Sequence, residues 1–198
     1  GPSLFAAEAD PEIAQHIHAL QDDDYHIRWQ ALEALGKLGP DAAPAVPALI
    51  DALGDDYCRF RAIHVLGQIG PAAAPAVPIL VDRLTSTLAD AGYQDRETEA
   101  AEIIRTLGNV GPSAKAALPV LRQALRDADS HIRYEAAHAL GELGADAREA
   151  IPDLEAVLND REYVGLYVYP YGQTVGEAAA QSLNKLRGKT PAGPLGGS

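Results

Sequence analysis

Residues 27–36 read IRWQALEALG, and this stretch decides the fold of the 198-residue chain. Its apolar side chains recur with the period of about 3.6 residues that is typical of an amphipathic helix with one buried face. The positions predicted to be buried are Ile27, Ala31, Ala34, Leu35 and Leu38. The stretch therefore predicts an α-helix that packs along one side.

The Leu-Gly pair that ends this stretch occurs four times, and each copy is followed twelve residues later by a proline. The pairs are Leu35-Gly36, Leu66-Gly67, Leu107-Gly108 and Leu140-Gly141, and the prolines are Pro47, Pro78, Pro119 and Pro152. A constant distance of this kind indicates one structural unit repeated along the chain. Gly-Pro dipeptides end the first helix of a unit, and proline is tolerated in the first turn of the second helix. The predicted fold is all-α, a right-handed α-solenoid of about five helical hairpins.

The repeats are predicted to occupy residues 11–188. The expected helices are an outer helix at 11–21, inner and outer pairs at 25–38/41–54, 57–69/72–90, 95–110/113–127 and 130–143/146–159, and a closing inner helix at 174–187. Residues 1–10 are interpreted as a tag remnant or leader, and residues 189–198 as a flexible C-terminal tail.

An aspartate precedes an arginine by four residues in three of the units. The pairs are Asp24/Arg28, Asp55/Arg59 and Asp129/Arg133. Such an aspartate can cap a helix start and pair with an arginine of its own unit or the next. Together with the Ala-Leu-Gly ending, the pattern resembles HEAT repeats, specifically the phycobilisome-lyase-like subfamily. The resemblance implies an armadillo-like superhelix whose arginine-bearing helices line the concave face, with an Asp–Arg ladder that links the repeats.

Two junctions between an outer helix and the next inner helix contain about ten additional residues. The first insertion, 85–96, is expected to lengthen an outer helix. The second, 162–172, alternates like a short hairpin and contains four of the chain's eight tyrosines: Tyr163, Tyr167, Tyr169 and Tyr171. Two alternatives stay open, because an exposed tyrosine cluster suits protein recognition, whereas a folded-over loop would cover the last repeats. The inner helices that follow the insertions lose the ladder arginine, which becomes Ala100 and Gly176.

Two positions on each inner helix lie outside the buried stripe and are predicted to be exposed on the same face. The first reads Trp29, Phe60, Ala101, Tyr134 and Glu177, and the second reads Glu33, His64, Arg105, His138 and Gln181. Large aromatic side chains aligned on one exposed face favour a binding surface, although each could instead stiffen the stack by packing on its neighbour. We predict that a protein partner contacts Trp29, Phe60, His64, Arg105, Tyr134, His138, Tyr163, Tyr167, Tyr169 and Tyr171.

No catalytic, metal or cofactor site is predicted. Deoxyhypusine hydroxylases are HEAT-repeat enzymes whose iron-binding His-Glu pairs occupy this column. The corresponding pairs here are Trp29-Gln30, Phe60-Arg61, Ala101-Glu102, Tyr134-Glu135 and Glu177-Ala178, so no histidine stands at the ligand position. Cys58 falls in the buried stripe and is interpreted as a small apolar residue. The sequence contains no Gly-x-Ser-x-Gly elbow and no Gly-Lys-Ser/Thr phosphate loop.

The formal net charge of −12 opposes binding to nucleic acid or an anionic membrane. An armadillo-like DNA glycosylase is therefore the least favoured alternative. A single cysteine and the lack of a signal peptide or a long apolar run indicate a cytoplasmic protein.

The expected function is a non-catalytic scaffold that binds a protein segment or a neighbouring domain. The resemblance implies a second possibility, a phycobilin lyase-like protein that attaches or handles a chromophore. An engineered repeat binder is a further alternative, against which the irregular junctions argue.

Overall fold

The computed structural model describes residues 10–164 and 173–188. Within them the chain forms ten α-helices: α1 (Pro11–Ala19), α2 (Tyr25–Leu38), α3 (Val46–Ala52), α4 (Arg59–Ile69), α5 (Val77–Ala89), α6 (Arg96–Val110), α7 (Leu118–Ala124), α8 (Ser130–Glu142), α9 (Ile151–Ala156) and α10 (Val175–Leu186). Short 3-10 helices occupy Gly39–Ala45, Gly70–Ala76, Gly111–Ala117 and Gly144–Ala150. The strands β1 (Tyr163–Val164) and β2 (Gln173–Thr174) form one antiparallel pair. The predicted all-α solenoid is confirmed.

The helices form two layers. The inner layer comprises α2, α4, α6, α8 and α10, and each of these helices packs on the next. The outer layer comprises α1, α3, α5, α7 and α9 together with the 3-10 helices, and its successive elements also contact each other. The inner layer contains the helices that the sequence predicts to line the concave face.

The glycine of the recurring Leu-Gly pair lies where the next inner helix approaches most closely. A Cβ atom on Gly141 would lie 2.4 Å from Oγ of Ser182 and 3.0 Å from its Cα, and one on Gly108 would lie 3.1 Å from Cα of Ala139. Ordinary side-chain contacts between carbon atoms begin near 3.5 Å. Glycine is therefore needed at these positions so that inner helices can pack backbone to backbone.

The outer elements differ from the single helices that the sequence predicts. Each begins as a 3-10 helix and continues as a short α-helix with a proline in its first turn. Pro44 and Pro75 lie inside 3-10 segments, because proline has no N–H to donate and disrupts an α-helical interior. The inner helix before each segment ends at a glycine with positive φ, such as Gly70 at 72°, which a side chain rarely adopts.

Both insertions adopt the predicted local structure in the described residues. The first insertion extends α5 to 13 residues, whereas α3 and α7 have 7 each. In the second, Tyr163 pairs with Thr174 and Val164 with Gln173. Tyr167, Tyr169 and Tyr171 lie outside the described residues.

The buried stripe is confirmed in the interior of the array and at Ala31 and Leu35 of α2, but it is wrong at Ile27. Cys58 is 1% exposed, and burial raises the pKa of its thiol. Ile27, predicted to be buried, is 39% exposed, because α2 is the first inner helix and no inner helix precedes it to cover its first turn. Ala34 and Leu38 are half-buried for the same reason.

Within the described residues, the segment Arg59–Ala89 is long and apolar enough, by composition, to cross a membrane. The structure divides it at Gly70 into α4, the 3-10 helix Gly70–Ala76 and α5; α4 and α5 both pack on α6, and 56% of the most apolar window is buried. Its apolar character is that of a buried repeat.

Candidate binding groove on the inner face

A groove of about 760 Å³ lies between α6 and α8 on the inner layer. Arg105 of α6 and Tyr134 and His138 of α8 line it, together with Pro71 and Pro112 of two 3-10 helices. Three of the residues predicted to bind a partner are therefore brought together in one depression. Of the other predicted residues that the structure describes, none lines the groove: Trp29, Phe60, His64 and Tyr163.

The groove's aromatic wall follows from helix geometry. Tyr134 and His138 are four residues apart and share one face of α8, so their ring centroids lie 5.8 Å apart. The Tyr134 hydroxyl donates to Oε1 of Gln173 in β2 at 3.1 Å, and burial raises the pKa of this phenol. Tyr134 thus bonds to the strand that directly follows the second insertion, and it also lines the groove.

A network of charged groups lies beside the groove. The Glu102 carboxylate contacts Nδ1 of His64 at 2.9 Å and accepts from Arg105, which raises the pKa of the Arg105 guanidinium. His138 lies 3.9 Å from Glu142, which also accepts from Lys185. His64, Arg105, His138 and Lys185 therefore each lie next to a carboxylate.

The exposed column predicted from the sequence is wrong at its third position. Ala101 is 4% exposed, because α6 is packed between α4 and α8 and a methyl side chain does not extend beyond them. Glu102, one residue later, is the group that reaches His64 and Arg105. The sequence pair Ala101-Glu102 could have predicted this arrangement, since on a packed helix the charged residue of such a pair points outward and the small one is buried.

The aromatic residues of the first two repeats lie outside the groove. Trp29 is 44% exposed and Phe60 is half-buried, and neither lines the groove. Sequence reasoning missed Tyr25 and Tyr57, which are 46% and 73% exposed with ring centroids 5.6 Å apart. Tyr25 is the first residue of α2, whereas Tyr57 lies two residues before α4, so the two tyrosines do not share a position in the repeat and no pattern in the sequence identified them. At the other end of the array, Tyr163 is 71% exposed.

The Asp–Arg ladder connects neighbouring repeats at two junctions. Arg28 donates from Nε to Asp55 at 2.8 Å, and Arg133 donates in the same way to Asp160 at 2.8 Å. Each arginine also donates to two backbone carbonyl oxygens of the turn before its helix. Asp24 and Asp129 instead cap their own helices, through the N–H groups of His26 and Ile132.

The ladder changes where the first insertion interrupts it. Arg59 pairs with Asp56 of its own repeat and donates to the carbonyl of Leu53 at 3.2 Å. Ala100 occupies the arginine position in the next unit, but Arg96, one turn earlier, pairs with Asp127. At the other lost position, a Cβ on Gly176 would lie 2.4 Å from the carbonyl oxygen of Leu158. No side chain fits there.

Repeated inner and outer helices that pack in series define a helical-repeat solenoid. The sequence profile of the HEAT repeats matches residues 17–100 and 93–164, and the chain belongs to this family.

Solved structures agree with this fold. One crystal structure of an engineered protein has a TM-score of 0.60 at 20% identity, covering 89% of this chain and 80% of its own. Another engineered protein has a TM-score of 0.58 at 20% identity, covering 88% of this chain and 47% of its own. The complex of CpcE and CpcF of phycocyanin lyase from Nostoc sp. has 18% identity over 94% of this chain and 99% of its own, with a TM-score of 0.30, which supports no argument. No curated protein matches significantly.

Within residues 10–164 and 173–188, no group of three or more His, Cys, Asp or Glu side chains is arranged to hold a metal ion.

Proposed function

We propose that the chain is a non-catalytic scaffold that binds a segment of a partner protein along its concave face. The single observation that supports this function is the groove between α6 and α8, where Arg105, Tyr134 and His138 line a depression of about 760 Å³. HEAT repeats commonly serve as scaffolds for protein interaction, and the open inner face of a solenoid suits an extended ligand.

The chemistry of the groove matches that of protein interfaces. Tyrosine and arginine are enriched among the residues that contribute most to binding between proteins. Glu135 and Glu142 line the same groove as Arg105 and His138, so donors and acceptors are both available to a peptide backbone. The partner then extends in one direction toward the exposed Trp29 and in the other toward Tyr163. We further propose that the protein acts in the cytoplasm.

The test is affinity capture from the source organism with quantitative mass spectrometry. The variant replaces Arg105, Tyr134 and His138 with alanine, and the matched control replaces the exposed outer residues Ser113, Lys115 and Gln123 with alanine. A partner retained by the wild type and the control, and lost with the groove variant, is the expected result. Equal recovery of the partner by all three proteins would show that the groove is not the binding site. Far-UV circular dichroism must show the same helicity in each.

One spectroscopic measurement distinguishes protein binding from the phycobilin alternative. A scaffold that recognises only protein leaves the absorption band of an added linear tetrapyrrole unchanged. A shifted band that the groove variant abolishes would replace protein binding by chromophore handling at the same residues.

A further inference from the structure

One face of α2 lacks the neighbour that the repeat provides elsewhere. Each of the other inner helices packs on the inner helix before it, whereas within the described residues no inner helix precedes α2. Ile27 is 39% exposed on this side, and Ala34 and Leu38 are half-buried. A depression of about 340 Å³ lies here. We call the surface formed by Ile27, Ala34, Lys37 and Leu38 the open face.

The last inner helix shows what normally covers these positions. The residues of α10 at the four repeat positions of the open face are Val175, Ser182, Lys185 and Leu186. Both sets consist of a β-branched residue, a small residue, a lysine and a leucine, in that order. Val175, Ser182 and Leu186 are buried, and α8 packs on α10. The open face therefore has the side chains that receive an inner helix at the other end of the array.

Two residues of α8 form the close contact with α10. A Cβ atom on Gly141 would lie 2.8 Å from Cβ of Ser182, so glycine is needed for the two backbones to approach this closely. The Glu142 carboxylate, one residue later, accepts from the Lys185 ammonium. A helix that fits such a surface therefore carries Leu-Gly followed by an acidic residue.

The open face has room for both contacts. Ala34 presents only a methyl group to an incoming backbone. The Lys37 side chain is 74% exposed, and among the described residues it pairs only with Glu33. Exposed pairs of this kind are weak, so the ammonium can turn to a second carboxylate. Apolar side chains placed on Ile27 and Leu38 would remove both from water, which adds a hydrophobic contribution.

Other parts of this chain match the required helix less well. In α10 the residue after the repeat leucine is Asn184 instead of glycine. Head-to-tail stacking of a second copy would therefore place a side chain against Ala34. The segments outside the described residues, at most ten residues long, are shorter than the twelve positions that the open face spans. These comparisons favour a helix from another protein.

We propose that the open face of α2 binds an amphipathic helix of a partner protein. The glycine of that helix lies against Ala34, its acidic side chain lies beside Lys37, and its apolar side chains contact Ile27 and Leu38. The bound helix continues the inner layer by one member, as α8 does on α10. This surface is separate from the groove between α6 and α8 and does not depend on the function proposed above.

Titration with a peptide of residues 128–144 tests the surface, because this segment contains α8 with its Asp129 cap. Saturable binding in calorimetry, with amide NMR shifts concentrated in α1 and α2, is expected. A Gly141→Leu peptide is the matched control and should bind about tenfold more weakly, since the added side chain overpacks the contact. Absence of saturable binding up to about 1 mM, or equal binding of the two peptides, overturns the proposal.

A charge exchange attributes the binding to Lys37. Lys37→Glu is expected to raise the dissociation constant of the peptide about fivefold, and a Glu142→Lys peptide should recover the loss in that variant. Lys115→Glu, which changes an exposed lysine of the outer layer, is the control and leaves the affinity unaltered. The same affinity in Lys37→Glu as in the wild type contradicts the proposal.

Two further results would assign the open face to a different occupant and so overturn the proposal. Dimerisation without peptide, measured by analytical ultracentrifugation and abolished by Ala34→Leu, would indicate a second copy. Peptide binding that begins only after removal of residues 1–9 would indicate that this chain covers its own face. The groove variant is expected to bind the peptide normally, so failure of one proposal is distinguishable from failure of the other.

Discussion

Arg133 donates from Nε to Oδ2 of Asp160 at 2.8 Å, across the boundary between the fourth inner helix and the junction that leads to the fifth. The same guanidinium donates to the carbonyl oxygens of Asp127 and Ala128, and to Glu162 at 3.0 Å. One side chain therefore connects the start of α8 to the start of the second insertion.

Replacing Arg133 with alanine is expected to lower the free energy of unfolding by about 1–3 kcal/mol, because several part-buried acceptors lose a charged donor. Arg133→Lys should recover only part of the loss, since an ammonium group lacks the planar fork of a guanidinium. Urea titrations followed by circular dichroism measure both. Lys37→Ala is the control, because its ion pair with Glu33 is exposed and such pairs contribute little. Equal losses in the two alanine variants would contradict the role given to the ladder.

The ladder carboxylates predict a loss of stability in acid. Burial opposes ionisation of Asp160, but the hydrogen bonds from Arg133 and the Glu162 N–H outweigh it and lower its pKa. The pKa of Asp127 is lowered in the same way, because the hydrogen bond from Arg96 and that from the Asp129 N–H outweigh the effect of burial. A carboxyl with a lowered folded-state pKa adds stability above its unfolded pKa of about 4 and loses it as the pH falls through the folded-state value. Urea midpoints measured across this window should decline, and Asp160→Asn should flatten the decline.

For His131 the pKa shift and its effect on stability run in the opposite direction. Its hydrogen bond with Glu135 raises its pKa. The stability that it adds is therefore complete below the unfolded pKa of about 6.5 and disappears as the pH rises through the folded-state value. His131→Gln should therefore lower the urea midpoint below about pH 6.5 and leave it unchanged at alkaline pH, where the imidazole is neutral in both the folded and the unfolded state.

Gly141→Ala is expected to destabilise the protein although alanine is the better helix former. The added Cβ would lie 2.8 Å from Cβ of Ser182 and 3.0 Å from its Cα, and overpacking of this kind costs about 1–3 kcal/mol, against a gain in helix propensity of at most about 1 kcal/mol. Gly92→Ala, in the exposed inserted turn with 3.5 Å of clearance, is the matched control. A thermal midpoint that is unchanged in Gly141→Ala would show that α8 and α10 are not as close as described.

Arg83→Ala is expected to lower the free energy of unfolding by about 3–5 kcal/mol, because it leaves the buried Glu99 carboxylate without its partner. Adding Glu99→Ile should restore most of the loss, since the equivalent position in α8 is an isoleucine that is 0% exposed. The comparison is Arg126→Ala, whose side chain is 73% exposed and whose removal should cost at most about 1 kcal/mol. A double variant that is no more stable than Arg83→Ala would contradict the buried ion pair between Arg83 and Glu99.

Much of the fold follows from short-range patterns. The repeated Leu-Gly pair and the proline twelve residues later predicted the alternation of inner and outer helices, and the Asp–Arg pairs predicted caps and bonds between repeats. These features are local, because a helix period, a cap and a proline act within a few residues of one another. The outer helices were predicted less well, since the tight 3-10 segment depends on how several prolines combine.

The candidate site was only partly predictable. Arg105, Tyr134 and His138 were selected from their column and do line one groove, but Ala101 was misplaced and Glu102 was missed. The same register, applied to the third repeat, places Glu99 in the buried stripe, and that conflict between charge and burial was the available signal for its ion pair with Arg83. The Tyr25–Tyr57 contact, in contrast, joins two helix starts and has no short-range pattern.

The sequence by itself determined the repeating unit, the buried stripe within the array and the two insertions, because each depends on the spacing of residues along one chain segment. Only the tertiary structure decided which side chains meet: Arg96 takes over from the absent ladder arginine, Glu99 is buried beside Arg83, and Ile27 is left exposed. The physical reason is that burial and pairing depend on the neighbouring helix, whose distance and rotation are set by the packing of the whole stack and not by the pattern within one repeat.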